Sequence, residues 1–219
     1  MSTSLLVLVP LRIEQLALGV PDGSRVLRTG MGPERARIAA ARALGNDAPA
    51  VAIAGLCAGI APGLHAGDVI CATELLGAEP PLRLPEAARL APLLRRHGLH
   101  VHLGPLVSAP RILGAAERRD LDGEALGVDM ESAWLAGGAG GRPLAVVRVV
   151  ADAAGRSLTD PHMLTAGFRA LAALRRTREA LGEWALSLAA DPADDRPVRS
   201  GSESPSPESP SPTRELAAL

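Results

Sequence analysis

The chain reads as an α/β protein, a three-layer sandwich of helices around a mixed, mostly parallel central sheet. Three observations lead there. Apolar strand-like runs alternate with helix-like segments along residues 5–188. Leu144 to Val150 is an almost unbroken branched apolar run, as expected of a strand covered on both faces. Asp152 follows that run at the carboxyl end, the end at which open α/β sheets bind ligands.

Taken in order, Leu5–Pro10 reads as the first strand, Glu14–Gly19 as a short helix or loop, and Arg25–Thr29 as the second strand. Gly32–Leu44 reads as a helix opened by Pro33 and closed by Gly45. Ala50–Ala54 is the expected third strand, followed by a glycine-punctuated loop from Gly55 to Asp68, and Val69–Glu74 is the fourth. Pro85–Gly98 carries Leu90, Leu93 and Leu94 on one helical face, and Val101–Ser108 returns as a strand. A short helix from Ser132 to Ala136 stops at Gly137-Gly138, the central strand runs to Val150, and an amphipathic helix spans Met163 to Leu188. Residues 1–190 are expected to form one domain. The stretch DPADDRPVRSGSESPSPESPSP from Asp191 has nothing to bury, so 191–219 is expected to be a disordered Pro/Ser/acidic tail.

Composition narrows the function. The chain has 219 residues and a net charge of -1, with Phe168, Trp134 and Trp184 as its aromatics and no Tyr. A basic stripe and stacking platforms are lacking, which disfavours nucleic acid as a partner. The apolar run Leu5 to Leu11 is far too short for a bilayer span and meets Arg12 and Glu14 at once, so no membrane span is expected. Cys57 and Cys71 sit in apolar company without zinc-like spacing to the five histidines, which suggests a reduced, cytoplasmic protein with no structural metal and no cofactor.

The candidate chemistry lies in carboxylates far apart along the chain. Asp129, Met130 and Glu131 stand at a helix entrance, Asp152 at a strand exit and Glu14 after the first strand. Each has an ordinary alternative: Asp152 as a helix N-cap, Asp129 as a complement to the helix dipole, Met130 as core, Glu14 as a solvated surface acid. Ser108 reads as a strand-end turn residue, and His100 and His102 alternate along one strand.

Four islands, in order and spacing, resemble the nucleoside phosphorylase and nucleosidase superfamily, in particular its methylthioadenosine/S-adenosylhomocysteine nucleosidases and hopanoid-associated phosphorylase-like enzymes. They are VPLRIEQ from Val9, RTGMGPERA from Arg28, GLCAGIAPGLHAGDVICATE from Gly55, and VDMES from Val128 with VVRVVAD from Val146. The resemblance covers residues 5–188 and implies the phosphorylase/hydrolase-like fold.

It also implies roles. Cleaving an N-ribosidic bond builds positive charge on the sugar and negative charge on the departing purine, so the base must be protonated and the ribose held. By resemblance Asp152 is the acid that donates to purine N7, Glu14 the base that activates water, and Glu131 the acceptor for the 2′- and 3′-hydroxyls. Met130 lies against the ribose, and Asp129 takes the place of a further acid. Gly55, Cys57, Ala58 and Gly59 let backbone approach the ligand, while Ile112 and Leu113 flank the purine where relatives often place an aromatic. His100 and His102 would reach a partner's 5′ pocket, since a homodimer is implied.

The phosphorylases carry an R-x-G-S pattern after the third strand. This chain reads Ile53-Ala54-Gly55-Leu56 there, and an apolar segment cannot neutralise phosphate, which favours water as nucleophile. The expected function is therefore an N-ribosyl hydrolase releasing adenine from a 5′-substituted adenine nucleoside such as methylthioadenosine, S-adenosylhomocysteine or adenosylhopane. The alternatives are a phosphate-dependent purine nucleoside phosphorylase and a catalytically silent nucleoside-binding or scaffold protein.

Overall fold

A computed structural model describes residues 4–77, 80–121, 123–152 and 163–190. In chain order the elements are β1 (Leu5–Val9), α1 (Arg12–Leu18), β2 (Ser24–Arg28), α2 (Pro33–Leu44), β3 (Val51–Gly59), β4 (Val69–Leu76) and β5 (Leu82–Arg83). They continue with α3 (Ala87–Arg96), β6 (Val101–Ser108), α4 (Ala115–Asp120), β7 (Gly127–Asp129), α5 (Ser132–Leu135), β8 (Leu144–Asp152) and α6 (Met163–Ala190). The expected tail, 191–219, lies outside the described residues.

The sheet is mixed and mostly parallel, as expected. β1 pairs in parallel with β2 and β3, β3 with β8, and β6 with β4 and β7, whereas β3/β7, β4/β5 and β4/β8 are antiparallel. The sandwich expectation needs correction, because the sheet closes on itself. β8 bridges β3 and β4, and β7 bridges β6 and β3, so β3, β8, β4, β6 and β7 form a five-stranded ring. β7 is only three residues long and β5 only two, too short to carry a recognisable pattern, and both were missed in the sequence along with α4.

The continuous apolar strands are explained by burial on both faces. Leu5, Val7 and Val9 pack with Leu90, Leu94, Leu181 and the fully buried Trp184, while Leu6 and Leu8 pack with Ala36, Ala39 and Ala43 of α2. β8 divides in the same way, with Val147 and Val149 on one side and Val146 and Val150 on the other. Among the described residues no helix is long and apolar enough to cross a membrane.

Two local differences bear on the site. Gly55–Gly59 is not a loop: β3 continues through it to Gly59 because β8 pairs with it as far as Ala58, with a register shift between Cys57 and Ala58. The short helix at Ser132 does not stop at Gly137-Gly138 but tightens into a 3-10 turn over Ala136–Ala139. Gly138 is needed there, since a Cβ would stand 3.0 Å from the Ala40 Cα of α2.

Candidate active site

The apolar run of β8 is broken once, by Arg148, whose side chain is entirely buried. An isolated buried cation is costly, so it must be paired. Its Nε lies 2.7 Å from Asp129 Oδ2, its Nη2 is 3.7 Å from Glu131 Oε2, and both nitrogens donate to Ser132 Oγ, at 3.1 and 3.0 Å. Burial opposes the charge, yet Asp129, Glu131 and Glu14 hold the Arg148 pKa above its ordinary value. Asp129 ends β7 and is wholly engaged: it accepts from Ser108 Oγ at 2.6 Å, from the Ser132 hydroxyl, and from the amides of Glu131 and Ser132. Ser108 is thus more than a turn residue. It locks Asp129 from β6 and accepts the Ala133 amide at 2.9 Å.

Glu14, expected near the site from the first strand's exit, sits on α1 with only 2% of its surface exposed. Its Oε2 accepts the Leu11 amide at 2.7 Å, the reach of a third-position glutamate back to its helix start, and its Oε1 accepts the Leu56 amide of β3, also at 2.7 Å. Burial pushes its carboxyl above the ordinary carboxylate range, against the pull of Arg148 and the two amides. Gly55 owes its identity to this contact. A Cβ there would collide with the Arg148 guanidinium and stand 2.9 Å from Glu14 Oε1.

Glu131 Oε1 accepts the Gly32 amide at 3.0 Å, tying the start of α5 to the start of α2. Burial raises its carboxyl as well, with Arg148 and the Gly32 amide pulling the other way. Asp152, at the end of β8, accepts from Arg118 Nη1 at 2.8 Å. Arg118 belongs to α4, is 6% exposed, and its Nε is buried without a hydrogen-bond partner among the described residues.

These groups share one cavity of about 720 Å³. Glu14, Asp129, Met130, Glu131 and Asp152 line it together with Cys57, Ala58, Ile112 and Leu113. Gly55 does not line it but lies beneath Glu14 and Arg148. Burial raises the Cys57 thiol pKa, which keeps it protonated and unreactive. Met31, Leu56, Ile112 and Leu113 make an aliphatic wall that opens at the exposed Met31 and Ile112.

Both arginines escaped the sequence reading. Arg148 had a signal, a charge inside an otherwise apolar strand, whereas Arg118 lies in the stretch Glu117-Arg118-Arg119-Asp120, which looks like any solvated helix face.

With this geometry in place, the comparisons with known proteins are clear about fold. The chain superposes with a TM-score of 0.65 on a putative 5′-methylthioadenosine/S-adenosylhomocysteine nucleosidase from Francisella philomiragia, at 15% identity and covering 85% of this chain and 98% of that one. The corresponding nucleosidase of Neisseria meningitidis, in complex with methylthio-immucillin-A, gives a TM-score of 0.63 at 20% identity over 84% and 98% of the two chains. Futalosine hydrolase of Helicobacter pylori gives 0.62 at 15% identity over 84% and 97%. No curated protein sequence matches the chain. At these identities the likeness is one of fold. The family itself rests on a sequence model described as the phosphorylase superfamily, which matches residues 24–181, from β2 into α6. With more than two thirds of its length inside that match, the chain belongs to the phosphorylase superfamily.

Proposed function

We propose that the chain is an N-ribosyl hydrolase that releases adenine from a 5′-substituted adenine nucleoside. The observation that carries this reading is the convergence of Glu14, Glu131 and Asp152, distant in sequence, on a single cavity of nucleoside size. In the proposed reaction Glu131 accepts hydrogen bonds from the ribose 2′- and 3′-hydroxyls, and these strengthen as the sugar becomes cationic. Met130 lies against the ribose. Glu14, fixed by the Leu11 and Leu56 amides, orients and deprotonates the attacking water. Asp152 takes up a proton from solvent before the step, on the oxygen not held by Arg118, and passes it to purine N7 as the C–N bond breaks, while Glu14 keeps the proton removed from water. Arg118, already bonded to Asp152, aims that carboxyl and acts as a positioning residue.

Water rather than phosphate as nucleophile is supported by where the cations are committed. Arg148 is enclosed by carboxylates, Arg118 is paired with Asp152, and Arg111 is paired with Glu117. Beside Leu56, Cys57 and Ala58 little positive charge is left for a phosphate dianion. The nucleosidase of similar fold from Neisseria meningitidis is named for methylthioadenosine and S-adenosylhomocysteine, which supports an adenine nucleoside as substrate. The aliphatic wall suits an apolar 5′ substituent, from methylthio to a hopane-sized group. By the same resemblance we place the enzyme in the cytoplasm as a homodimer, with the second copy covering the exposed Leu11 and Met31 at the cavity.

The test is adenine release from methylthioadenosine, S-adenosylhomocysteine and adenosylhopane, with and without inorganic phosphate. Turnover without phosphate is expected. Strict phosphate dependence would replace the hydrolase with a phosphorylase, and no release from any adenine nucleoside would leave a nucleoside-binding protein.

A further inference from the structure

Outside the cavity, one group of side chains is arranged as a ligand set. The parallel register of β4 and β6 pairs Val69 with Val101 and Ile70 with His102, which puts Asp68 beside His100 and His102, one strand away. His100 Nδ1 is 3.0 Å from Asp68 Oδ1, His102 Nε2 is 3.2 Å from Asp68 Oδ2, and the two ring nitrogens are 3.2 Å apart. These separations are close to the edge of a tetrahedron, about 3.3 Å, built on metal–ligand bonds of about 2.0 Å. Protons satisfy the group poorly. If both ring nitrogens carry their N–H and donate to Asp68, the two N–H groups face each other, and if either nitrogen is bare its lone pair faces the carboxylate, so one of the three contacts is always unfavourable. A divalent cation at the centre satisfies all three at once.

We propose that Asp68, His100 and His102 form a binding site for a first-row divalent cation of the zinc type, with His65 as the fourth donor. His65 Nδ1 is 3.9 Å from Asp68 Oδ2, and its side chain, 80% exposed, is free to turn inward. Two imidazoles and a carboxylate select zinc, cobalt or nickel over magnesium or calcium, which take oxygen ligands. The carboxylate is preset. The His65 amide donates to its Oδ2 at 3.0 Å, and the two histidine rings lie against both of its oxygens, so its orientation is set by the protein. The site is also joined to the catalytic strand: Asp68 O accepts the Val150 amide at 2.8 Å, and Val150 O accepts the Gly67 amide at 2.9 Å, two residues before Asp152. Bound metal therefore clamps the starts of β4 and β6 to the end of β8.

The experiment uses the full chain without an affinity tag, stripped with chelator and then titrated with Zn2+ by calorimetry and with Co2+ by visible absorption. Expected are one Zn2+ per chain, a Co2+ band of tetrahedral intensity, a rise in Tm with Zn2+, and no binding of Mg2+ at the same concentration. His100→Ala, at a side chain 72% exposed, should keep the metal-free Tm and circular dichroism of the parent and bind Zn2+ at least about tenfold more weakly. His102→Gln provides the same reading if His100→Ala does not fold. No saturable Zn2+ binding, equal affinity in a folded variant, or one metal shared by two chains would overturn the site.

Discussion

Arg148 Nε and Asp129 Oδ2 meet at 2.7 Å with side-chain exposures of 0% and 1%, so a full ion pair lies inside the protein directly behind the cavity. The pair does not face substrate as its main role. It holds the strand β7 and the helix start of α5 against β8, and so determines where Met130 and Glu131 stand.

Removing one member of a buried pair leaves the other charge uncompensated. Arg148→Met is expected to lower the unfolding free energy by about 3–5 kcal/mol, because Asp129, Glu131 and Glu14 then face one another without their cation. Urea denaturation of variant and parent measures this. A loss within about 1 kcal/mol, the range of exposed pairs, would mean that this ion pair does not hold the region together.

If Asp152 is the acid and Arg118 its positioning partner, their variants separate chemistry from positioning. Asp152→Asn is expected to lower kcat by about a hundred- to ten-thousand-fold, as loss of a general acid does. Arg118→Gln is expected to cost about tenfold, the range of a supporting partner, with Asp152 still present. Steady-state adenine release gives both values, and a loss in Arg118→Gln equal to that in Asp152→Asn would make the arginine part of the reacting centre.

Glu14 and Glu131 bind protons more tightly in the folded chain than in the unfolded one, since burial raises their pKa values above 4.5. Their contribution to stability is therefore full below that unfolded value and is lost as pH rises through the raised folded values. Glu14→Gln removes one of the two titrations. Whatever its offset, its Tm between about pH 4 and pH 8 should fall less steeply with pH than the parent's. Activity runs in the opposite direction: if Glu14 is the base, kcat/KM rises along an acid limb whose midpoint lies above 4.5. Parallel Tm slopes would show that Glu14 does not carry this titration.

Gly55→Ala tests the contact between β3 and the charged cluster. The added methyl meets the fully buried Arg148 guanidinium and pushes Glu14 toward the cavity it lines, and overpacking of this kind costs about 1–3 kcal/mol. Adenine release should fall further than stability predicts, because Glu14 is displaced from the Leu56 amide. A variant as active as the parent would argue that Glu14 can shift without loss, against its role in orienting water.

The sequence by itself determined the alternation of elements, the doubly covered strands and the carboxylates worth watching. Those features are local: an apolar period, a capping glycine or an acid at a strand end is visible within a few residues. Closure of the sheet was not legible, because it depends on β7 pairing with both β3 and β6 over two or three residues apiece, far too few to leave a periodic trace. Continuation of β3 through Gly55–Gly59 was hidden for a related reason, since it is the pairing with β8, not any strand propensity of glycine, that keeps those residues extended. Only tertiary structure decided that Arg148 is sealed among three acids, that Arg118 from α4 reaches Asp152, and that Asp68 joins His100 and His102. Charges attract through space, and residues 34 positions apart such as Arg118 and Asp152, or Asp68 and His102, become neighbours only when strand order and register bring them together.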